Sequence, residues 1–137
     1  MFSSLQLLPP LPEIITYAGD PVRGAGWYGR QGALHTIAIR ALNFRGRLTI
    51  QACETLIPIE TDWRTVLPAA VPYFQYPLPG YIVPPNNMGE TSNISFSFLG
   101  NVVWLRASVD RRYLILPFDT PLQIMPYGAI DSVMVNY

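Results

Sequence analysis

Apolar and polar residues alternate one for one in several short runs of this chain. That period of two marks strands with one buried face. In 34–42 (LHTIAIRAL), Ile37, Ile39 and Ala41 share one side, and Thr36, Ala38 and Arg40 the other. Asn43-Phe44-Arg45-Gly46 offers a turn, and 47–53 (RLTIQAC) sets Leu48, Ile50 and Ala52 opposite Thr49, Gln51 and Cys53. The two runs read as paired antiparallel strands. Farther on, Ile94, Phe96 and Phe98 alternate with Ser95 and Ser97. Gly100-Asn101 makes a tight connection to a run in which Val103, Leu105 and Ala107 oppose Val102, Trp104 and Arg106. Trp104 is thereby predicted on the outer side of its sheet, where it wants cover. Residues 113–118 (YLILPF) and 121–126 (PLQIMP) are short strand candidates bounded by prolines. In 128–136, Ile130, Val133 and Val135 break strict parity, which predicts a bulge near Ser132.

The punctuation between these runs is dense, with 14 prolines and 10 glycines. Residues 1–16 read as an extended arm, because Pro9, Pro10 and Pro12 exclude a central strand. Its leucines Leu5, Leu7 and Leu8 need a surface, either this domain's flank or a neighbouring subunit. Residues 17–33 form a glycine-rich loop holding Trp27-Tyr28; GAGWYG there lacks the flanking strand and helix of a dinucleotide fingerprint. Residues 55–69 carry a loop with one helical turn at 62–64, and Trp63 is expected in the core. Residues 70–92 read as a long proline- and aromatic-rich crossing loop, with an irregular edge strand as the plainer alternative. No helical period intervenes. The fold class that follows is all-β: residues 17–137 form a single antiparallel β-sandwich of about seven or eight short strands, with a jelly roll among the arrangements it admits.

Composition narrows the function classes. Of 137 residues, 50% are hydrophobic and only 13% charged, with nine basic and nine acidic residues giving a formal net charge of +0. Such a chain has no global attraction for nucleic acid or an anionic membrane, and no run is apolar and long enough for a helix to cross a bilayer. The leucines near the N-terminus lack a preceding basic residue and are followed by prolines, a poor signal peptide. All nine basic residues are arginine, which suits fixed multidentate contacts. Arg45, Arg47, Arg111 and Arg112 sit at or near expected turns; if these share one end of the sandwich, they form a local basic patch for acidic groups of adjacent subunits.

Catalytic and metal chemistry find little to work with. His35 is the one histidine and Cys53 the one cysteine. Hairpin pairing would bring them within reach of each other, but Cys53 reads better as an inert core residue. Two ligands fall short of a zinc site. Glu54, Glu60 and Asp62 match no calcium-loop spacing and are better explained by solvation or arginine pairing. No cofactor is expected. The aromatics carry more information: Trp27, Tyr28, Tyr73, Phe74, Tyr76 and Tyr81 offer contact area at small entropic loss, to a protein neighbour or to a sugar, or else fold back over their own sheet edge.

Two stretches add a resemblance. FRGRLTIQACETLIP with TDWRTV, and ISFSFLGNVVWLRASV with YGAIDSVMVNY, resemble small structural proteins of contractile-tailed bacteriophages, especially those infecting cyanobacteria. The likeness spans roughly residues 34–137. It implies a β-sandwich component of the virion, in the tail, baseplate or neck, without enzymatic activity, whose partners are other copies of itself and other virion proteins. The alternative is a sandwich module that binds carbohydrate or a host surface.

Overall fold

The computed structural model describes residues 4–8, 16–82, 89–112 and 129–137. Ten strands run through them: β1 (Ser4–Leu8), β2 (Thr16–Ala18), β3 (Val22–Arg23), β4 (Ala33–Phe44), β5 (Gly46–Cys53), β6 (Arg64–Thr65), β7 (Phe74–Tyr76), β8 (Glu90–Gly100), β9 (Trp104–Asp110) and β10 (Ala129–Asn136). They form two antiparallel sheets. The first has the order β1-β10-β4-β8; the second has β2-β9-β5-β6, with β3 also on β9 and β7 also on β5. β2 and β3 lie end to end along β9, and β6 and β7 end to end along β5, so each pair is one interrupted strand. With those pairs merged, each sheet has four strand positions, and the chain changes sheet at every connection except the one after β5. This is the connectivity of a jelly roll, and the expected all-β sandwich is the observed one.

The core lies between the sheets. Ile37, Ile39, Ala41 and Phe44 of β4 and Ile130, Val133 and Val135 of β10 face Leu48, Ile50 and Ala52 of β5 and Leu105, Ala107 and Val109 of β9. Each large aliphatic there contributes about 1.5–3 kcal/mol by leaving water. The β10 register slips between Ile130 and Ser132 against β4, so the residues that broke parity all point inward.

Several expectations are corrected. β4 and β5 do not pair; they belong to opposite sheets, as do β8 and β9. Alternation shows that a strand has one buried face, but two strands facing each other across a core carry the same pattern as two side by side. The corner at β4–β5 uses Asn43 in the left-handed region (φ 50°), after which Phe44 turns into the core. Val102 is buried rather than on the outer face, because β9 begins only at Trp104 and the crossing before it follows no two-residue period. Cys53, on the outer parity of its run, is buried where β5 leaves its sheet, in keeping with its reading as a core residue. Trp63 is half-buried outside the core, and the helical turn beside it lies at Glu60–Asp62.

The N-terminal segment is part of the sandwich. β1 pairs with β10, from Ser4 opposite Asn136 to Leu8 opposite Val133, and Leu7 is 2% exposed within the core. The span expected as a long loop contains β7 and the start of β8. Leu8's side chain, residues 9–15 and 83–88, and the strand candidates 113–118 and 121–126 lie outside the described residues.

Candidate functional site

One end of the sandwich is closed by a 3-10 turn at Ala25–Tyr28. Two glycines let it approach: the N–H of Gly24 donates to Val103 O at 2.8 Å and that of Gly26 to Val102 O at 2.7 Å. A Cβ on Gly24 would sit 2.4 Å from Val102 O. The turn sets Trp27 against Trp104, with ring centroids 4.9 Å apart, and Arg23 lies over the Trp27 ring at 4.5 Å. Trp104 thus has the cover its outward position calls for. Tyr28 stays exposed, 6.4 Å from the Tyr137 ring. His35 is fully buried beneath the turn. Its Nε2 accepts the Ala25 N–H and its Nδ1 donates to Ala33 O, each at 3.1 Å, so the ring is held neutral. Burial lowers its pKa, with Ala33 opposing and the Arg30 charge adding to the effect.

The four arginines do meet at one end, since Arg47 of β5 pairs in register with Asp110 of β9. They do not form an open basic patch. Arg112 closes on Asp110, with Nη2 2.8 Å from Oδ2, and this hydrogen bond holds the carboxyl below its usual range. Arg47 bonds Gln75 at 3.1 Å and covers the Tyr73 ring at 4.5 Å. Arg45 is half-buried. Arg111 is buried, with its guanidinium 4.7 Å from the Phe44 ring centroid, and is withdrawn from the interaction set.

Tyr76 is withdrawn as well. It is a core residue, edge-on to Phe44 at 5.4 Å, and its hydroxyl has no hydrogen-bond partner among the described residues. Burial, followed by the nearby Glu90 charge, raises its pKa far above the ordinary phenol value. Glu90 is itself buried and accepts from Leu78 N–H at 2.7 Å and from the Ser92 hydroxyl. Phase by phase along the expected loop, Phe74 packs edge-on against Phe96 at 6.0 Å. Tyr81 places its hydroxyl on the main chain of Thr91, accepting the N–H at 3.1 Å and donating to the C=O at 3.4 Å. Of the aromatics expected to reach a partner, Tyr28 alone remains widely exposed among the described residues.

The apolar surface lies elsewhere. In the loop after β5, Leu56, Ile57 and Ile59 are 60%, 82% and 66% exposed. The loop is tethered: Trp104 Nε1 donates to Leu56 O at 2.9 Å, and the Ile59 N–H donates to Asp62 Oδ2 at 2.9 Å. Three aliphatic side chains are therefore held in water on a fixed backbone. Around them, Glu54 binds Arg64 at 2.7 Å, and Glu60 binds Arg106, whose guanidinium lies 4.2 Å from the Trp63 ring centroid. The three carboxylates weighed for calcium thus each have a separate partner. On the outer face of the first sheet, Leu34 and Leu99 oppose each other in register and are both exposed. Leu42 is exposed on the same parity, and the face also carries small polar groups such as Thr36 and Ser97, which hydrogen-bond at 2.8 Å, and the ion pair Arg40–Asp131.

Sequence reasoning passed over these aliphatics, although each left a signal. Leu34 and Leu99 sit on the polar parity of their strands, and Leu56-Ile57-Pro58-Ile59 is an apolar run in a segment too irregular to be a strand. Among the described residues, no group of three His, Cys, Asp or Glu side chains converges as a metal site. His35 is committed to the 3-10 turn, and the buried Cys53 donates to Thr55 O at 3.5 Å. No protein family, curated protein or solved structure matches the chain.

Proposed function

We propose that this chain is a non-enzymatic structural component of a bacteriophage particle, binding other copies of itself and other virion proteins in the tail, baseplate or neck. The observation that carries the assembly part of this reading is the tethered loop with Leu56, Ile57 and Ile59 exposed. Isolated exposed aliphatics are ordinary, but a fixed apolar cluster marks a contact surface. The low charge of the whole chain points the same way. The phage setting rests on the resemblance of residues 34–137. Jelly rolls include capsid and lectin domains alike, so the fold supports both this reading and the carbohydrate-binding alternative, and only the surface separates them. A sugar site stacks exposed rings beside polar groups. Here Tyr73 lies under Arg47, Tyr81 is held on Thr91, and Trp27 is packed at a tilt against Trp104.

The test combines peptide mass spectrometry of purified particles with the solution mass of the full chain. The reading expects the chain to be a stoichiometric particle component. It also expects self-association or capture of another particle protein, weakened by Ile57→Ser with no loss of fold. Absence from particles, together with specific retention on a glycan array, overturns it in favour of the alternative.

A further inference from the structure

Among the described residues the two sheets present four edges, and three of them are broken or short. The second sheet ends on one side in β2 and β3, of three and two residues, and on the other in β6 and β7, of two and three. β1 has five residues and a register shift between Gln6 and Leu8. The fourth edge is β8, eleven residues without proline and without a charged side chain after Glu90. Natural sheets blunt exposed edges with charge, proline, bulges or shortness, because an open edge templates another strand. β8 has a register shift against β4 only at its start, between Glu90 and Ser92, and from Asn93 to Gly100 it has none of these devices.

We propose that β8 is the docking edge for β8 of a second copy of this chain, joining two sandwiches into one continuous sheet about a twofold axis. This deepens the assembly reading above and rests on it.

The main chain sets the register. Tyr81 occupies both the N–H and the C=O of Thr91, so Thr91 points away from β4. With a period of two, the main-chain groups of Asn93, Ser95, Ser97 and Leu99 turn the same way, and among the described residues no main-chain hydrogen bond outside the strand ladders reaches them. A twofold axis at Phe96 pairs these four residues with their counterparts, Ser95 with the partner's Ser97 and Asn93 with the partner's Leu99. Each free N–H then meets a free C=O, and the position already taken by Tyr81 is left out.

The side chains agree with that register. Ile94, Phe96 and Phe98 are half-buried against the core and exposed along the open edge. The axis sets Phe96 against the partner's Phe96, and Ile94 against the partner's Phe98. Aromatic and aromatic–β-branched pairs of this kind stabilise antiparallel strands. Because residues 91–100 carry no charge, self-pairing brings no like charges together.

The experiment uses the full chain. Light scattering is compared for the wild type and a Ser95→Pro/Ser97→Pro variant, with circular dichroism and thermal melting as fold controls. Proline at these positions removes an outward N–H and leaves the β4 ladder intact. The inference expects a wild-type dimer and a folded variant of half that mass. A second arm mixes Ser95→Cys with Ser97→Cys chains and oxidises them, since hydrogen-bonded partners lie about 5.5 Å apart at Cα, within disulfide reach. The mixture is expected to cross-link more than either variant alone, and this arm decides if the proline variant fails to fold. A wild type that stays monomeric at high micromolar concentration overturns the inference. So does an oligomer that keeps its mass in the proline variant and cross-links no better in the mixture; if Ile57→Ser then dissociates it, the assembly reading stands without the β8 edge.

Discussion

At the scale of single residues, the clearest imbalance is Tyr76. Its ring belongs in the core against Phe44, but its hydroxyl is buried with no partner among the described residues. An unpaired buried polar group costs about 1–3 kcal/mol. Tyr76→Phe is therefore expected to raise the urea midpoint, or at least not to lower it, while Tyr76→Ala lowers it steeply by opening a cavity beside Phe44. His35 gives the molecule a pH dependence. Its neutral form is the one that accepts from Ala25, and burial lowers its pKa below the ordinary value of 6.5. The unfolded chain therefore takes up the proton first as pH falls. The stabilisation is complete above pH 6.5 and declines below it, through the window down to the lowered native value. Denaturant titrations across that window should show the decline, and His35→Gln should flatten it.

At the scale of elements, the alternating strands were the legible ones: β4 as far as Ala41, β5, β8 and β9 each repeat an inward residue at every second position, and β10 does so on either side of its slip between Ile130 and Ser132. The fragments β2, β3, β6 and β7 were not legible, because two or three residues cannot display a period. Sheet membership was hidden for a different reason: a corner residue such as Asn43 redirects the chain without disturbing the pattern on either side. The Gly24–Gly26 pair was visible only as looseness, whereas its role is close approach of the 3-10 turn to the carbonyl of Val102. The obstacle to a side chain there is main chain, which cannot swing aside. Gly24→Ala is expected to cost about 1–3 kcal/mol, read as a lower thermal midpoint together with changed fluorescence of the Trp27–Trp104 pair.

At the scale of the whole molecule, the surface was less readable than the core. Aromatics drew attention as contact groups, yet Tyr76 turned inward and Tyr73, Phe74 and Tyr81 found partners within the chain. The exposed cluster at Leu56, Ile57 and Ile59 depends on where a loop is tethered, which no local pattern records. The same scale decides the role of the N-terminal segment. Leu7 is sealed within this domain, so Leu7→Ala should cost about 2–5 kcal/mol. That loss should be the same at every protein concentration, as equilibrium unfolding over a dilution series would show. A segment lent to a neighbour would instead weaken on dilution. The interrupted margins of the second sheet have a geometric consequence for growth. A strand addition that uses the same edge on both molecules satisfies that edge completely, and the fragments β2, β3, β6 and β7 offer no comparable runway for a third. With β1 short and shifted in register at the far margin of the first sheet, lateral joining of this kind would end at a pair, and any larger assembly would have to be knitted through loops instead of spun out as a fibre.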